Sequence, residues 1–517
     1  LDSGLGTKKG IVYLIGAGPG DPGLITVKGL ACLKRAEVVI YDYLANPELL
    51  REAPGAEQIY VGKTRGHHHR PQEEINALLV DLARQGRVVA RLKGGDPFIF
   101  GRGGEEALVL SRAGIPFEVV PGVSAGFAAA AYAGIPLTHR DFTTSLGLFT
   151  GHEDPEKKLS SLDWEKLATG VGTLVFYMGM ANLPLIAEQL VAHGRPATTP
   201  VAVVRWATTP RQRTVTATLG DVVEKVRAAG IKPPAVIIVG EVVALREELR
   251  WFDNRPLFGR TVLVTRTADQ AGEFSALLEE CGARVVECPT IRLLPPESYA
   301  ELDAMIGDLA GFDWLVLTSA NAVQFFFARL QALGLDARAL GRCRVCAVGP
   351  KTAAAIRTHG VNPDLVPADY KAEGVVAAFA GTDLAGRRVL FPRADKAREV
   401  IPQGLAELGA EVTAPVAYRN VLPDALPPAA LEALEAGEVD CVTFTASSTA
   451  ENLAALLGPE RFARFLDGVT VASIGPITSK TCRKLGLEVR IEPTEYTLAA
   501  LTDEIAHYFT SLIQNKA

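Results

Sequence analysis

Short apolar runs alternate with amphipathic stretches along most of the chain. Ile11 to Ile15 is wholly apolar and runs into glycine, as a strand buried on both faces would. Runs of similar length fall at Val38 to Tyr41, Ile59 to Val61, Val88 to Leu92, Phe117 to Val120 and Leu146 to Thr150. Others fall at Thr173 to Tyr177, Val201 to Val204, Thr214 to Thr218 and Ala235 to Val239. Helix-like spacing separates them, beginning with the segment through Leu30 and Leu33. Strand and helix alternating to about Val243 predict an α/β domain. The charged, aromatic-bearing stretch Arg246 to Arg260, with Pro256 inside it, predicts a boundary.

Beyond that boundary the pattern repeats itself. Val262 to Arg266 is echoed by Val389 to Arg393, and Leu317 to Asn321 by Phe444 to Ser448, each 127 residues on. Ala347-Val348-Gly349-Pro350 is echoed by Ser473-Ile474-Gly475-Pro476, 126 residues on. Two copies are too few for a solenoid. They predict two similar α/β lobes with a ligand-sized cleft between them. Val412 to Ala417 is expected as one strand of the second copy.

Composition narrows the class. The chain has 517 residues, enough for two or more domains, with 48% hydrophobic and 22% charged residues and a net charge of −6. Nothing in that balance draws it to nucleic acid or an anionic membrane, so an anionic ligand needs a local basic patch. Seven scattered cysteines read as reduced, mostly buried thiols. Cys343-Arg344-Val345-Cys346 sits in a strand-like run with no second ligand pair spaced for zinc, so no metal is expected. Ala125 to Leu137 is too short to span a bilayer and reads as a packed Ala-rich helix. No secretory pattern opens the chain, and a cytoplasmic setting is expected.

Chemistry is expected in the glycine-rich loops at strand ends. Arg91 to Glu106 carries Gly94-Gly95-Asp96-Pro97 and then Gly101, Gly103 and Gly104 ahead of a helix. Glycine this dense suggests close backbone approach to a ligand; the plain alternative is a βα turn. Gly16 to Gly23 follows the first strand as a dinucleotide loop would, but Asp21 stands where the third glycine of that fingerprint belongs. A nicotinamide reductase is therefore the weaker reading.

Taken in order, Gly16 to Asp21, Tyr41-Asp42, Val61-Gly62-Lys63, Arg91 to Glu106, Pro121 to Ala125, Gly134 to Asp141 and Thr173 to Gly179 resemble uroporphyrinogen-III C-methyltransferase, of the tetrapyrrole methylase class. The match covers about residues 10–250 and is similar also to the C-terminal part of sirohaem synthase. From about Gly259 onward, Phe391-Pro392-Arg393, Val416 to Arg419, Leu317 to Val323 and the two Gly-Pro loops resemble uroporphyrinogen-III synthase. The resemblance implies a tetrapyrrole methylase fold of two α/β lobes at 10–250, a linker at 251–258, and a bilobed α/β synthase fold at 259–517. Lobe one would hold 259–292 and 421–517, and lobe two 296–417.

It implies that hydroxymethylbilane is cyclised to uroporphyrinogen III with inversion of the last ring. That product is then methylated at C-2 and C-7 with S-adenosylmethionine to give precorrin-2, for sirohaem or cobamide biosynthesis. S-adenosylhomocysteine would be the by-product, and the enzyme a homodimer through its methyltransferase half. A rival reading makes the second half a tetrapyrrole-binding module without synthase activity.

Residue roles follow from the resemblance. S-adenosylmethionine would touch Pro19, Gly94, Gly95, Asp96, Ile99, Ser124, Ala125, Met178 and Ala207. Asp42 would accept a proton and Lys63 donate one; a turn aspartate and a solvated lysine are the plain alternatives. The family usually has arginine at Thr64 and glycine at Ala207. Consecutive His67, His68 and His69 cannot converge on one ion, so with Arg65 they read as a carboxylate-binding loop. Arg102, His139 and Arg140, with Arg205, Arg211 and Arg213, would add to it. In the synthase half Tyr418 is the first catalytic candidate, against a hinge or core tyrosine. Arg266, Thr318, Ser319, Arg393, Ser447 and Thr478 are carboxylate-binding candidates, the hydroxyls being equally suited to cap helices.

Overall fold

The computed structural model describes residues 10–62, 71–151, 162–266 and 268–514. One compact unit runs to Val262 and takes in Ala276–Val285 and the chain from Thr502; the other holds Leu263–Ser275 and Val286–Leu501.

In the first unit β1 (Ile11–Gly16), β2 (Val38–Tyr41), β3 (Glu57–Tyr60), β4 (Val88–Lys93) and β5 (Phe117–Val120) form a sheet of order β3-β2-β4-β1-β5. All its pairings are parallel. β1 is an internal strand covered on both faces, which is why its apolar run does not alternate: one face packs with Leu79 and Leu110, the other with Leu33 and Leu50. A second sheet joins β6 (Leu146–Thr150), β7 (Thr173–Tyr177), β8 (Pro200–Arg205), β9 (Arg213–Thr218) and β10 (Ala235–Val239) in the order β6-β7-β10-β8-β9. Here only β6 and β7 are parallel. The Ala-rich segment forms helix Ala125–Tyr132, and its small residues let Ala129 and Ala130 pack directly on Val175 and Ile238. Residues 251–258, expected as a linker, are packed: Phe252 and Leu257 are buried. Tyr132 meets the rings of Trp251 and Phe252 at 5.1 and 4.8 Å.

The later strands are, in chain order, β11 (Thr261–Val264), β12 (Arg284–Glu287), β13 (Arg292–Leu294), β14 (Trp314–Leu317), β15 (Arg344–Ala347) and β16 (Arg388–Leu390). After them come β17 (Arg393–Ala394), β18 (Glu411–Thr413), β19 (Val416–Val421), β20 (Cys441–Phe444), β21 (Thr470–Ser473) and β22 (Val489–Ile491). One sheet has the order β12-β11-β20-β21-β22, another β15-β14-β16-β18, and β13-β19-β17 form a third. The repeat maps β11, β12, β20 and β21 onto β16, β18, β14 and β15, so the two main sheets share one strand order. Each sheet draws two of these strands from each copy, so the copies are interwoven rather than confined to one lobe apiece.

Two expectations of detail change. Val412 to Ala417 is not one strand: the ladder breaks at Ala414-Pro415, where proline has no N–H to donate, and β19 pairs elsewhere. Cys343 precedes β15 instead of lying within it, and both it and Cys346 are buried. Among the described residues no helix is long and apolar enough to cross a membrane.

Candidate active site

Five loops of the first unit leave the ends of β1, β4, β5, β7 and β8 and carry the expected donor-site residues. Their glycines have a structural reason that the sequence reading assigned to ligand approach. Gly18 and Gly95 pair backbone to backbone, Gly95 N donating to Gly18 O at 2.7 Å and Gly18 N to Gly95 O at 3.2 Å. A Cβ on Gly16 would lie 2.5 Å from Gly122 Cα, and one on Gly94 2.5 Å from Leu44 Cβ. The loops interlock so tightly that a side chain at Gly16, Gly94 or Gly122 would part them.

Asp96 ties the same loops together. One carboxylate oxygen accepts from Phe98 N at 2.8 Å and the other from Gly122 N at 3.0 Å. Ser124 is buried and its hydroxyl meets the Tyr177 phenol at 2.7 Å. Tyr177 also accepts from Gly126 N at 3.0 Å, at the start of the helix that Ala125 opens. Across the unit, Asp21 receives the Tyr132 hydroxyl at 2.7 Å and its own N–H donates to Thr208 Oγ1 at 3.0 Å. Burial, reinforced by Asp21, pushes the Tyr132 phenol far above its ordinary range, so it stays protonated and donates.

Phe100, Arg102, Met178, Trp206 and Thr208 are the non-glycine residues with positive φ among those described, and all lie on these loops. Left-handed backbone at bulky residues costs free energy and clusters at functional sites. Sequence reading did not find this signal, because residue type at those positions gives no hint of it. Met178 exposes 52% of its surface and Ile99 36%, so neither is a core residue. Ala207 is buried, and its carbonyl lies 3.1 Å from where a Gly20 Cβ would sit. Pro19 is half-buried beside Gly18.

Asp42 directly follows β2, whose last residue Tyr41 pairs with Leu92 of β4. It accepts from Leu44 N at 3.1 Å and from the Arg91 guanidinium at 3.0 Å. Lys63, Arg65 and His67, with Thr64, lie outside the described residues. Arg102 forms an exposed two-bond pair with Glu105 at 2.9 and 2.7 Å. His139 accepts from Asp141 N at 3.2 Å, and Arg140 is exposed beside it. Arg205 and Arg211 both lie over the Trp206 ring, whereas Arg213 donates to Ala229 O, so these three do not form one patch.

In the second unit Tyr418 is buried in the core around β14, stacked on Phe325 at 5.2 Å, with its hydroxyl 3.2 Å from Ser319 Oγ. Burial raises its phenol above the ordinary range. Ser319 also caps helix Ala320–Ala332 by accepting from Ala322 N at 3.0 Å, with Thr318 half-buried before it. Ser447 is not the equivalent cap, which falls at Ala446; its hydroxyl pairs with Thr481 at 3.0 Å. Thr478 is buried inside helix Pro476–Lys484. Arg393 pairs with Glu399 at 2.6 Å, and burial lowers the Arg266 pKa from its ordinary value. Arg266 and Arg393 are equivalent in the repeat, both just beyond the strands β11 and β16.

Comparison with known proteins places these features. Residues 11–223 match the model of tetrapyrrole (corrin/porphyrin) methylases, and residues 272–503 that of uroporphyrinogen-III synthase HemD. The porphyrin biosynthesis protein HemD of Ruminiclostridium josui is 36% identical over 497 residues, 96% of this chain and 97% of that one. The uroporphyrinogen-III C-methyltransferase of Bacillus subtilis is 45% identical over 334 residues, 64% of this chain and 68% of that one. A solved Thermus thermophilus uroporphyrin-III C-methyltransferase, complexed with S-adenyl homocysteine, is 44% identical. It covers 45% of this chain and 99% of that one, at a TM-score of 0.40. The chain belongs to the tetrapyrrole-biosynthesis family in which a tetrapyrrole methylase and a uroporphyrinogen-III synthase are joined on one polypeptide.

Proposed function

We propose that the chain is a bifunctional enzyme that closes hydroxymethylbilane to uroporphyrinogen III and then methylates that product at C-2 and C-7 to precorrin-2. The observation that carries the reading is the pair of family matches lying one after the other along this chain, which aligns with one relative over 97% of that relative's length. The methyltransferase would occupy 10–250 and the synthase 259–517. A homodimer through the first half and a cytoplasmic setting belong to the same proposal; the seven free cysteines suit a reducing compartment.

The residues present fit S-adenosylmethionine. Exposed Ile99 and Met178 offer apolar surface to an adenine, and the interlocked loops around Gly94, Gly95 and Asp96 present backbone groups to the polar parts. When bound, the donor supplies an electrophilic methyl on sulfur, to which the ring carbon bonds as the sulfur–carbon bond breaks. The chain's own task is to hold ring and donor in line and to take the proton that the ring system loses. Asp42, just beyond a strand end and held by Arg91, would take that proton.

In the synthase half the chain would hold both ends of the linear tetrapyrrole while water leaves and the last ring inverts. Tyr418 and Ser319 share a hydrogen bond there, and a protonated phenol can donate to the departing hydroxyl. Anaerobic incubation with hydroxymethylbilane, with and without S-adenosylmethionine, tests the whole reading. Uroporphyrinogen III without the donor and its dimethylated product with it are expected. Isomer I alone would leave the second half as a binding module.

A further inference from the structure

Behind Asp42 lies a buried ionic cluster that proton transfer at the surface does not by itself require. β4 turns Val89, Arg91 and Lys93 to one face, and only Val89 is apolar. Glu106, from helix Gly103–Arg112, is wholly buried against them; Arg91 and Lys93 are 3% and 4% exposed. One Glu106 oxygen accepts from Lys93 Nζ at 2.9 Å, Arg91 Nε at 3.2 Å and Gln72 Nε2 at 3.1 Å. Its other oxygen is buried with no hydrogen-bond partner among the described residues. Arg91 spans from Glu106 to Asp42, whose Oδ2 it meets at 3.0 Å.

Such a cluster is poor as a device for stability. Burying ion pairs costs desolvation that well-packed apolar side chains would avoid, and an unsatisfied carboxylate oxygen adds to the cost. Three Leu-sized side chains would serve a purely structural face better. Among the described residues the cluster reaches partly exposed surface at Gln72 and at Asp42; of the two only Asp42 is ionisable, and it is the side chain read above as the proton acceptor.

We propose that Glu106 is a positioning residue for methyl transfer: it anchors Arg91 and Lys93, and Arg91 in turn fixes the orientation of the Asp42 carboxylate and the field it feels. The inference rests on the reading of Asp42 as proton acceptor. The groups facing Asp42 among the described residues are Arg91 and Lys93 from β4 and, behind them, Glu106; further out, Arg102 interacts with Glu106, Glu105 with Lys93, and Glu73 with Arg102. Burial, and then Arg91, holds the Lys93 ammonium below the usual lysine range, with Glu106 opposing both. Because Arg91 bridges Glu106 Oε1 and Asp42 Oδ2, a charge change in the cluster is one side chain away from Asp42.

The signs differ between variants. Glu106→Gln removes a negative charge, favours the Asp42 carboxylate, and moves the acid limb of the methylation pH profile down. Lys93→Met removes a positive charge and moves it up. Shifts of about half a pH unit are the scale expected of such neighbours. The test uses the full chain with supplied uroporphyrinogen III and S-adenosylmethionine. Isomer III formation by the other half and the circular dichroism spectrum report folding. Glu106→Gln is expected to lower kcat about 10-fold or more while KM for the donor changes by less than about threefold. Limbs moving in opposite directions sustain the proposal. Limbs that stay put or move together, with Asp42→Asn inactive, overturn it. Wild-type methylation by Asp42→Asn overturns the Asp42 reading itself, and the inference with it. If Glu106→Gln does not fold, Lys93→Met decides alone, and its limb must rise.

Discussion

Leu293 lies directly opposite Asn420 in the antiparallel pair β13–β19, and the two are the same position in the two copies of the repeat, 127 residues apart. A residue facing its own equivalent marks a local twofold axis. The two crossing segments meet there, where each copy passes from one main sheet to the other. The interweaving has a mechanical consequence, because neither copy owns a complete sheet.

A break between the copies, in the loop at Gly381 to Gly386, therefore leaves each fragment with halves of two sheets. Fragments 259–381 and 386–517 are expected to be unfolded when made separately and to recover a cooperative melt when co-expressed. A cooperative melt from either fragment alone would show that one copy suffices.

Much of this arrangement was legible in the sequence, and the exceptions have physical causes. A fully buried parallel strand such as β1 announces itself as an apolar run bounded by glycine. The repeat was visible as residue identities, but identities do not say which strand each copy gives to which sheet. Pro415 interrupts a run that reads as one strand because Val412, Thr413, Val416 and Tyr418 around it favour extended backbone. At the site, Asp42 and Asp96 stood out by position. The Arg91–Glu106 partnership did not, since a buried ion pair looks in sequence like two surface charges. The left-handed backbone at Met178 and Trp206 was invisible for a related reason: tertiary contacts impose it.

The buried thiols give the second unit an alkaline limit. Burial pushes Cys288, Cys343 and Cys346 up to about 12 and Cys482 up to about 11, from an ordinary 9.0. A raised folded pKa contributes stability that is complete below the unfolded value and lost as pH rises through the folded one. At one pH unit above the unfolded value each such thiol costs on the order of 1 kcal/mol. Melting temperature is expected to fall between about pH 9 and 11. Cys343→Ala with Cys346→Ala should flatten that fall while lowering stability at neutral pH through lost packing. An alkaline limb unchanged in the double variant would assign it to other groups.

Asp96 is expected to matter twice. Its carboxylate holds Phe98 N and Gly122 N, so Asp96→Ala leaves two loop N–H groups without a partner and loosens the donor site. Loss of hydrogen bonds to a charged acceptor is worth about 1.5–3 kcal/mol. Donor binding measured by calorimetry should weaken by at least about tenfold, with isomer III formation by the other half unchanged. Asp96→Asn keeps one acceptor and should fall between. Wild-type donor affinity in the Ala variant would remove Asp96 from the site.

Tyr418 is expected to decide which isomer the second half forms. Free in solution, the linear tetrapyrrole closes head to tail and gives the symmetric isomer I; isomer III needs the last ring to invert while both ends are held. The Tyr418 ring is fixed by stacking on Phe325, and its hydroxyl by Ser319, so a phenol stands ready in one orientation. Burial keeps that phenol protonated well above neutral pH, which makes it a donor and not a base. Tyr418→Phe keeps the stacking and deletes only the hydroxyl, at a stability cost of about 0.5–1.5 kcal/mol. Ser319→Ala removes the partner and the helix cap together, so it should cost more stability but less isomer III. The Phe variant is expected to lose most isomer III formation and to accumulate isomer I from the uncatalysed route. Methylation of supplied uroporphyrinogen III should continue in both variants. Chromatographic separation of the oxidised isomers reads the outcome. A Phe variant that forms isomer III at the wild-type rate would reduce Tyr418 to a packing residue and move the search for the donor to Arg266 and Arg393, the paired arginines beyond β11 and β16.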